Sequence, residues 1–350
     1  MPEKRVLVTG AAGFVASHVI KELLTTTDFI VRGTVRNLRD KSKYSHLSSL
    51  THASTRLELV QADLLDADSW PAAVDGCFAV MHIASPYVMT VRDPLKDLVE
   101  PAVTGTANVL TTALAVGIQH LIVTSSIAAV TDSPARGKTY TEEDWNTTSS
   151  LSWLPYYYSK TRAEKKAWEL VRAASTDVRL VVLNPAMVIG PSMTNTLNES
   201  VGYVVDPILG NVPMLIEISW ALVDVRDVAT AHVRALTSPT ASGRYILVRD
   251  VWTMTQVVEY YRNRFPGATR LPRLSAPDWA ARAFARLKPP GPKQYLQANL
   301  GYGKYAFSNA KSVQELGMTY RPIEDSLEDT IKNGIAWGFM PRSSLGLSSL

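Results

Sequence analysis

The chain has 350 residues, a formal net charge of +4, and 46% hydrophobic and 19% charged residues. That composition excludes a disordered chain and allows one large α/β domain with a smaller lobe, or two modest domains. The small, evenly spread charge gives no reason to expect nucleic acid or an anionic membrane as partner.

Cys77 is the single cysteine, so no intramolecular disulfide or Cys-based metal site can form, and a buried, small, apolar role is expected for it. The six histidines lack a ligand spacing such as H-E-x-x-H, and no metal is expected. No segment approaches about 18 uninterrupted apolar residues, and the start lacks a long apolar leader core. A cytosolic protein is expected.

Arg5–Thr9 reads as a first strand, and Val15–Leu24 as a helix with Val15, Val19, Ile20, Leu23 and Leu24 on one face. The turn between them is Gly10-Ala11-Ala12-Gly13-Phe14-Val15-Ala16, a G-x-x-G-x-x-A pattern. Gly10 permits a tight turn, Gly13 admits backbone close to a pyrophosphate, and Ala16 allows close helix–strand contact. The helix N-terminus then offers free N–H groups to phosphate. A strand before and a helix after supply the context a dinucleotide-binding turn requires.

Phe29–Val35 reads as the second strand. NAD sites usually place a carboxylate after it to hold the ribose 2′-hydroxyl. Here the chain continues Arg36, Arg39, Lys41, Lys43. Those cations suit a 2′-phosphate, and a guanidinium can grip it bidentately, so NADP(H) is the expected cofactor. Leu57–Gln61 is a third strand, followed by Asp63-Leu64 where an adenine ring would pass. Phe78–Ile83 is a fourth, followed by Ala84-Ser85-Pro86, which would let backbone approach the cofactor.

Val99–Val116 has helical periodicity, and Leu121–Ser125 is a fifth strand. Its end carries Thr124, Ser125 and Ser126. A serine there can hydrogen-bond a carbonyl oxygen beside the nicotinamide or simply cap a turn, and two serines compete for the first role. Tyr156–Ala174 reads as a helix and Arg179–Leu183 as a sixth strand. Tyr156 and Lys160 make the one Y-x-x-x-K of the Tyr156-Tyr157-Tyr158 run, and four residues on a helix share a face. An ammonium stabilises phenolate. Bringing a phenol from about 10 to about 7 takes about 4 kcal/mol, which the lysine and an oxidised nicotinamide together can supply.

Strands alternating with helices imply a doubly wound parallel sheet with ligand at the carboxyl ends of its strands. After Pro185 the pattern loosens, with Pro and Gly recurring. The expected division is a dinucleotide-binding domain over 1–185, joined by 223–248, and a substrate lobe over 186–222 and 249–340. Val223–Leu236 reads as a helix returning to the main domain, Ile323–Trp337 as the last helix, and the residues from Pro341 as loose. Met193, Tyr203, Val204, Ile208 and Trp220 make the lobe apolar, as core or as a pocket for a hydrophobic carbonyl compound.

Together these segments resemble an extended short-chain dehydrogenase/reductase, of the group of dihydroflavonol reductases, cinnamoyl-CoA reductases and methylglyoxal or ketone reductases. The carriers are Val8 to Phe14, Thr34-Val35-Arg36, His82 to Pro86, Thr124-Ser125-Ser126, Tyr156 with Lys160, Asn184 to Pro191 and Val223 to Ala229. Glu142 to Asn146 and Glu164 to Glu169 look like the methylglyoxal/ketone reductase branch.

The resemblance implies a Rossmann sheet and NADPH-dependent reduction of an aldehyde or ketone. It implies Ser126, Tyr156 and Lys160 as the catalytic set, with Lys160 also on the nicotinamide ribose. It implies Arg36 and Lys43 at the 2′-phosphate and Pro185 to Val188 along the nicotinamide. Gly10, Ala12, Gly13, Phe14, Val15, Asp63, Leu64, Ala84, Ser85 and Thr124 complete the implied cofactor contacts. Asp224, Asp227 and His232 are read as structural. Thr131 stands where the plant flavonoid enzymes usually carry Asn, so a flavonoid substrate is not expected. The alternatives are a nucleotide-sugar epimerase or dehydratase and a non-catalytic NADP(H)-binding protein. A monomer or homodimer is the expected assembly.

Overall fold

A computed structural model describes residues 4–85, 91–174, 177–301 and 305–346; Pro86, which ends one of the segments singled out above, lies outside them. The strands are β1 (Arg5–Val8), β2 (Ile30–Val35), β3 (Leu57–Gln61), β4 (Cys77–His82), β5 (His120–Thr124), β6 (Thr139–Tyr140), β7 (Arg179–Pro185), β8 (Met187–Ile189), β9 (Ser219–Asp224), β10 (Gly243–Leu247), β11 (Asp250–Thr253) and β12 (Ala306–Phe307). The helices are α1 (Phe14–Thr26), α2 (Ser45–Ser48), α3 (Ala53–Arg56), α4 (Trp70–Val74), α5 (Glu100–Ala115), α6 (Pro155–Ala173), α7 (Glu199–Leu209), α8 (Val225–Thr237), α9 (Met254–Arg264), α10 (Asp278–Ala285), α11 (Pro290–Asn299), α12 (Ala310–Leu316) and α13 (Ile323–Trp337).

Seven strands form one sheet in the order β10-β7-β5-β4-β1-β2-β3, and every pairing in it is parallel. This is the doubly wound, Rossmann-type arrangement. Side chains alternate across each strand, and both faces are covered. Val6 and Val8 pack with Val19, Ile20 and Leu23 of α1 and Val228 of α8. Leu7 points the other way, into a cluster with Val80, Leu121, Val182 and, from α5, Val109 and Leu110. The order reverses between β1 and β4, which opens a crevice at their carboxyl ends. Gly33 on β2 marks how closely the turn before α1 approaches: a Cβ there would lie 2.7 Å from the Ala11 Cβ.

A second core gathers Val204 and Ile208 of α7, Trp220 and Leu222 of β9, Val257 and Tyr261 of α9, and Leu327 and Ile331 of α13. A three-stranded sheet in the order β11-β9-β8 runs through it, with β9 and β11 antiparallel.

Several expected boundaries move. The fourth and fifth strands start and end one residue earlier than read, and β7 runs on through Pro185. The helix expected from Val223 begins at Val225. Val223 and Asp224 end β9, and the Asp224 carboxylate accepts the Arg226 N–H at 2.8 Å as the helix cap. Among the described residues the segment after Pro341 is not loose: Arg342–Leu345 makes a helical turn and Leu345 is buried. Cys77 is half-buried rather than buried, with its thiol pushed up to about 11 by desolvation. Among the described residues no helix is long and apolar enough to cross a membrane, and no cluster of His, Cys, Asp and Glu could hold a metal.

Candidate active site

The crevice contains a cavity of about 330 Å³. One wall is the turn after β1. Gly10 has φ +68°, and a Cβ there would lie 2.9 Å from the Ala84 Cβ, so only glycine lets these strand ends approach. Gly13 caps α1 with no side chain, the first turn of the helix carries no acid, and Phe14, Val15 and Ala16 line the cavity. A bare, positive helix end facing a cavity is where a pyrophosphate fits. Thr9 fixes the neighbouring β4 loop. Its hydroxyl oxygen accepts the Ile83 and Ala84 N–H groups, both at 2.9 Å, and its proton goes to His82 Nδ1 at 3.1 Å. That leaves His82 Nε2–H to donate to Thr106 at 3.3 Å. Burial, and then the Lys160 charge, lower the His82 pKa to about 3, so the ring is neutral.

The end of β5 separates the two competing serines. Ser125 is buried and donates to Glu164 at 2.5 Å. Ser126 is half-buried and lines the cavity. Its oxygen accepts the Ala128 N–H at 3.1 Å, leaving its proton for another acceptor. The turn-capping role and a ligand-facing role therefore coexist at Ser126. Asn184 braces it, donating to the Ser126 carbonyl at 3.1 Å and to Glu164 at 2.8 Å. Glu164 also takes Arg244 Nε at 2.6 Å, and both side chains are buried. Arg244 in turn donates to the carbonyls of Glu142 and Asp144 and lies 3.9 Å from the Trp145 ring.

Leu154, with φ +52°, turns the chain into α6, whose first turn carries Tyr156. Tyr156, Tyr157 and Lys160 all line the cavity. The Lys160 ammonium lies 5.9 Å from the Tyr156 ring centre and is buried, and desolvation lowers its pKa to about 8. It still carries its charge at pH 7. Tyr158 faces Arg162 instead.

Of the residues singled out from sequence, Gly10, Gly13, Phe14, Val15, Ala84, Ser85, Thr124, Ser126, Tyr156, Lys160, Pro185 and Val188 converge on the cavity. The Thr124 hydroxyl is engaged by His232 at 2.7 Å, so it ties β5 to α8. Ala12, Arg36, Lys43, Asp63 and Leu64 lie outside the lining. Ala12 packs on the core; the Asp63 carboxylate accepts the Leu65 N–H at 2.9 Å; Leu64 packs against Gly105. Arg36 and Lys43 are exposed after β2, and no side-chain partner holds either among the described residues. Asp224 pairs with Arg226 and Asp227 with Arg321, which ties α8 to its neighbours as the structural reading expects.

The far wall was only partly anticipated. Tyr203 and Trp220 line it, Trp220 as part of the second core as well, whereas Val204 and Ile208 are core only. Thr131 and Asp132 follow the serine turn, and Asn198, Ser200, Tyr295, Asn299, Tyr305 and Phe307 arrive from distant segments. No local motif marks these positions.

His82 and His232 are both fully buried and neutral, with His232 lowered to about 4 by desolvation. Each takes up a proton more readily when unfolded, where its pKa is about 6.5. The stability they confer is complete above that value and is lost as pH falls toward their folded pKa values. Denaturant unfolding at pH 7 and pH 5 should differ by about 2 kcal/mol per histidine, and His232→Gln should shrink the difference.

The model of the NAD dependent epimerase/dehydratase family matches residues 6–248. Cinnamoyl-CoA reductase CAD2 of Medicago truncatula is 36% identical over 334 residues, 94% of each chain. Gre2 of Candida albicans, solved in complex with NADPH, is 28% identical with a TM-score of 0.78 over 95% of this chain and 99% of that one. Yeast methylglyoxal/isovaleraldehyde reductase Gre2, also complexed with NADPH, is 25% identical with a TM-score of 0.77 over 96% and 99%. Identity is thus higher to the plant reductase than to either Gre2. On these grounds the chain belongs to the NAD dependent epimerase/dehydratase family, the extended short-chain dehydrogenases/reductases.

Proposed function

We propose that the protein reduces a small hydrophobic aldehyde or ketone to its alcohol with NADPH. The observation that carries this reading is the convergence of Ser126, Tyr156 and Lys160 with the bare glycine turn on one cavity. NADPH, when bound, supplies the hydride. The Ser126 hydroxyl donates to the substrate oxygen and holds it beside Tyr156. Tyr156 delivers its phenolic proton to that oxygen as the carbonyl carbon is reduced. The Lys160 ammonium stabilises the phenolate left behind and holds the nicotinamide ribose. With NADPH bound, Gly10, Gly13, Phe14 and Val15, with the Ala12 backbone between them, would hold the pyrophosphate; Ala84, Ser85 and Thr124 would flank the dinucleotide, with Asp63 and Leu64, outside the cavity lining, toward its adenine end; Pro185 and Val188 would face the nicotinamide.

Arg36, with Lys43, selects NADP(H) by binding the 2′-phosphate. The family name carries NAD, while the Gre2 structures carry NADPH. No carboxylate stands at the end of β2 to favour the 2′-hydroxyl form. Residues 1–185 with 223–248 act as the dinucleotide-binding domain, and 186–222 with 249–340 as the substrate lobe. The protein works in the cytosol as a monomer or homodimer.

The test is a panel of aldehydes, ketones and a flavonoid assayed with NADPH and NADH. NADPH is expected to be preferred, and Arg36→Ala is expected to raise the KM for NADPH about 10–100-fold while sparing that for NADH. An NADH preference in the unmodified protein would overturn the assignment of Arg36.

A further inference from the structure

The outer face of α10 runs against the usual amphipathic rule. Its inward positions are only Ala281 and Ala285, packed on Leu300. Its large apolar residues face water: Trp279 is 75% exposed, Phe284 49%, and Leu287, in the helical turn that continues α10, 82%. Leu274, just before the helix, is 69% exposed. Trp279, Ala283 and Leu287 recur every fourth residue and form one stripe. Several large apolar side chains exposed on one short segment mark an interaction surface.

The surrounding charge identifies what covers it. Between residues 273 and 293 the chain carries Arg273, Arg282, Arg286, Lys288 and Lys293 against one acid, Asp278, and Asp278 is already paired with Arg282 at 2.8 Å. Arg273 and Arg286 are exposed without a side-chain partner among the described residues, and Lys288 lies 4.5 Å from the Phe284 ring centre. A second copy docked by two-fold symmetry would set these cations against their own mates. An anionic lipid surface meets both features: aromatic and leucine side chains enter the headgroup boundary, and the cations meet lipid phosphates and carboxylates. The net charge of +4 averages this local bias away.

We propose that the Trp279–Leu287 face, with Leu274 beside it, docks on the surface of an anionic lipid bilayer. Such docking is peripheral and needs no membrane-spanning helix. The next helix carries the contact inward. Gln294 of α11 accepts the Leu154 N–H and donates to the Ser152 carbonyl, both at 2.8 Å, at the start of the tyrosine helix. Tyr295 and Asn299 of α11 line the cavity. If the reductase reading holds, the docked protein collects apolar carbonyl compounds that partition into the bilayer; docking itself does not depend on that reading.

Flotation of the full chain with vesicles tests the proposal. Binding is expected to phosphatidylcholine vesicles containing roughly one-third phosphatidylserine, and to be about tenfold weaker to phosphatidylcholine alone or at high salt. W279S/L287S is expected to weaken binding to the mixed vesicles at least about tenfold, with an unchanged circular dichroism spectrum. R286E/K288E is expected to remove the preference for anionic vesicles. Recovery of the unmodified protein away from both vesicle types overturns the proposal, as does binding indifferent to both double substitutions. A dimer in solution that W279S/L287S dissociates also overturns it, since the occupant is then a second copy.

Discussion

Tyr156→Phe is expected to lower kcat for carbonyl reduction about 10²–10⁴-fold while leaving NADPH binding and the unfolding transition close to their original values. The aromatic ring stays and only the phenolic proton is lost, which is the contribution of a positioned proton donor. The ring also packs edge-on against Tyr157, 5.9 Å between centres, and that contact survives the change. Tyr157→Phe is the control. Tyr157 lines the same cavity but has no lysine four residues on, so its loss should touch KM more than kcat. Lys160 adds a pH signature. Its folded pKa near 8 means that the ammonium is lost as pH rises through that value. kcat/KM in the reductive direction should therefore fall above about pH 8, and the decline belongs to the Tyr156–Lys160 pair rather than to either residue alone.

Glu164→Ala is expected to destabilise the fold by about 3–5 kcal/mol and to depress kcat as well. The carboxylate is fully buried and accepts from Ser125, Asn184 and Arg244. Its removal strands the Arg244 guanidinium in a low-dielectric interior, and breaking one side of such a pair is far costlier than replacing both. The double variant Glu164→Leu/Arg244→Met should therefore recover much of the stability that the single one loses. Activity should not recover with it, because Asn184 would no longer be braced against the Ser126 carbonyl. If the double variant is less stable than Glu164→Ala, the ion pair is not what makes the site sensitive. Denaturant unfolding and kcat on the same three proteins check both halves.

The parts legible in the sequence were those where a local rule meets a local structure. The strand before and the helix after identify the glycine turn, and Gly10 takes the left-handed backbone that such a turn demands. The parallel strands showed as apolar runs because both faces of the sheet are covered. Tyr156 and Lys160 share a helix face because they lie four residues apart. The rest depends on long-range closure. Tyr295 and Phe307 reach the cavity from segments more than a hundred residues beyond Lys160, and nothing near them in sequence announces it. The sequence pattern does not mark Gly243–Leu247, one edge strand of the large sheet, and it starts the returning helix two residues early, inside β9. Val223 and Val225 suit either state, and the Asp224 cap decides the boundary. Glu164 looked like a marker of family branch; only folding shows it to be the hub behind the serine turn.

The proposed reaction brings a hydride and the Tyr156 proton together at one carbonyl group in this cavity. The most direct measurement supplies NADPH deuterated at the transferring position with a carbonyl substrate and follows the label. One equivalent of NADPH should be consumed per alcohol formed, with deuterium on the carbinol carbon, and Tyr156→Phe should not transfer the label at a comparable rate. Nucleotide-sugar interconversion without net cofactor consumption, or alcohol formed without the label, would contradict it.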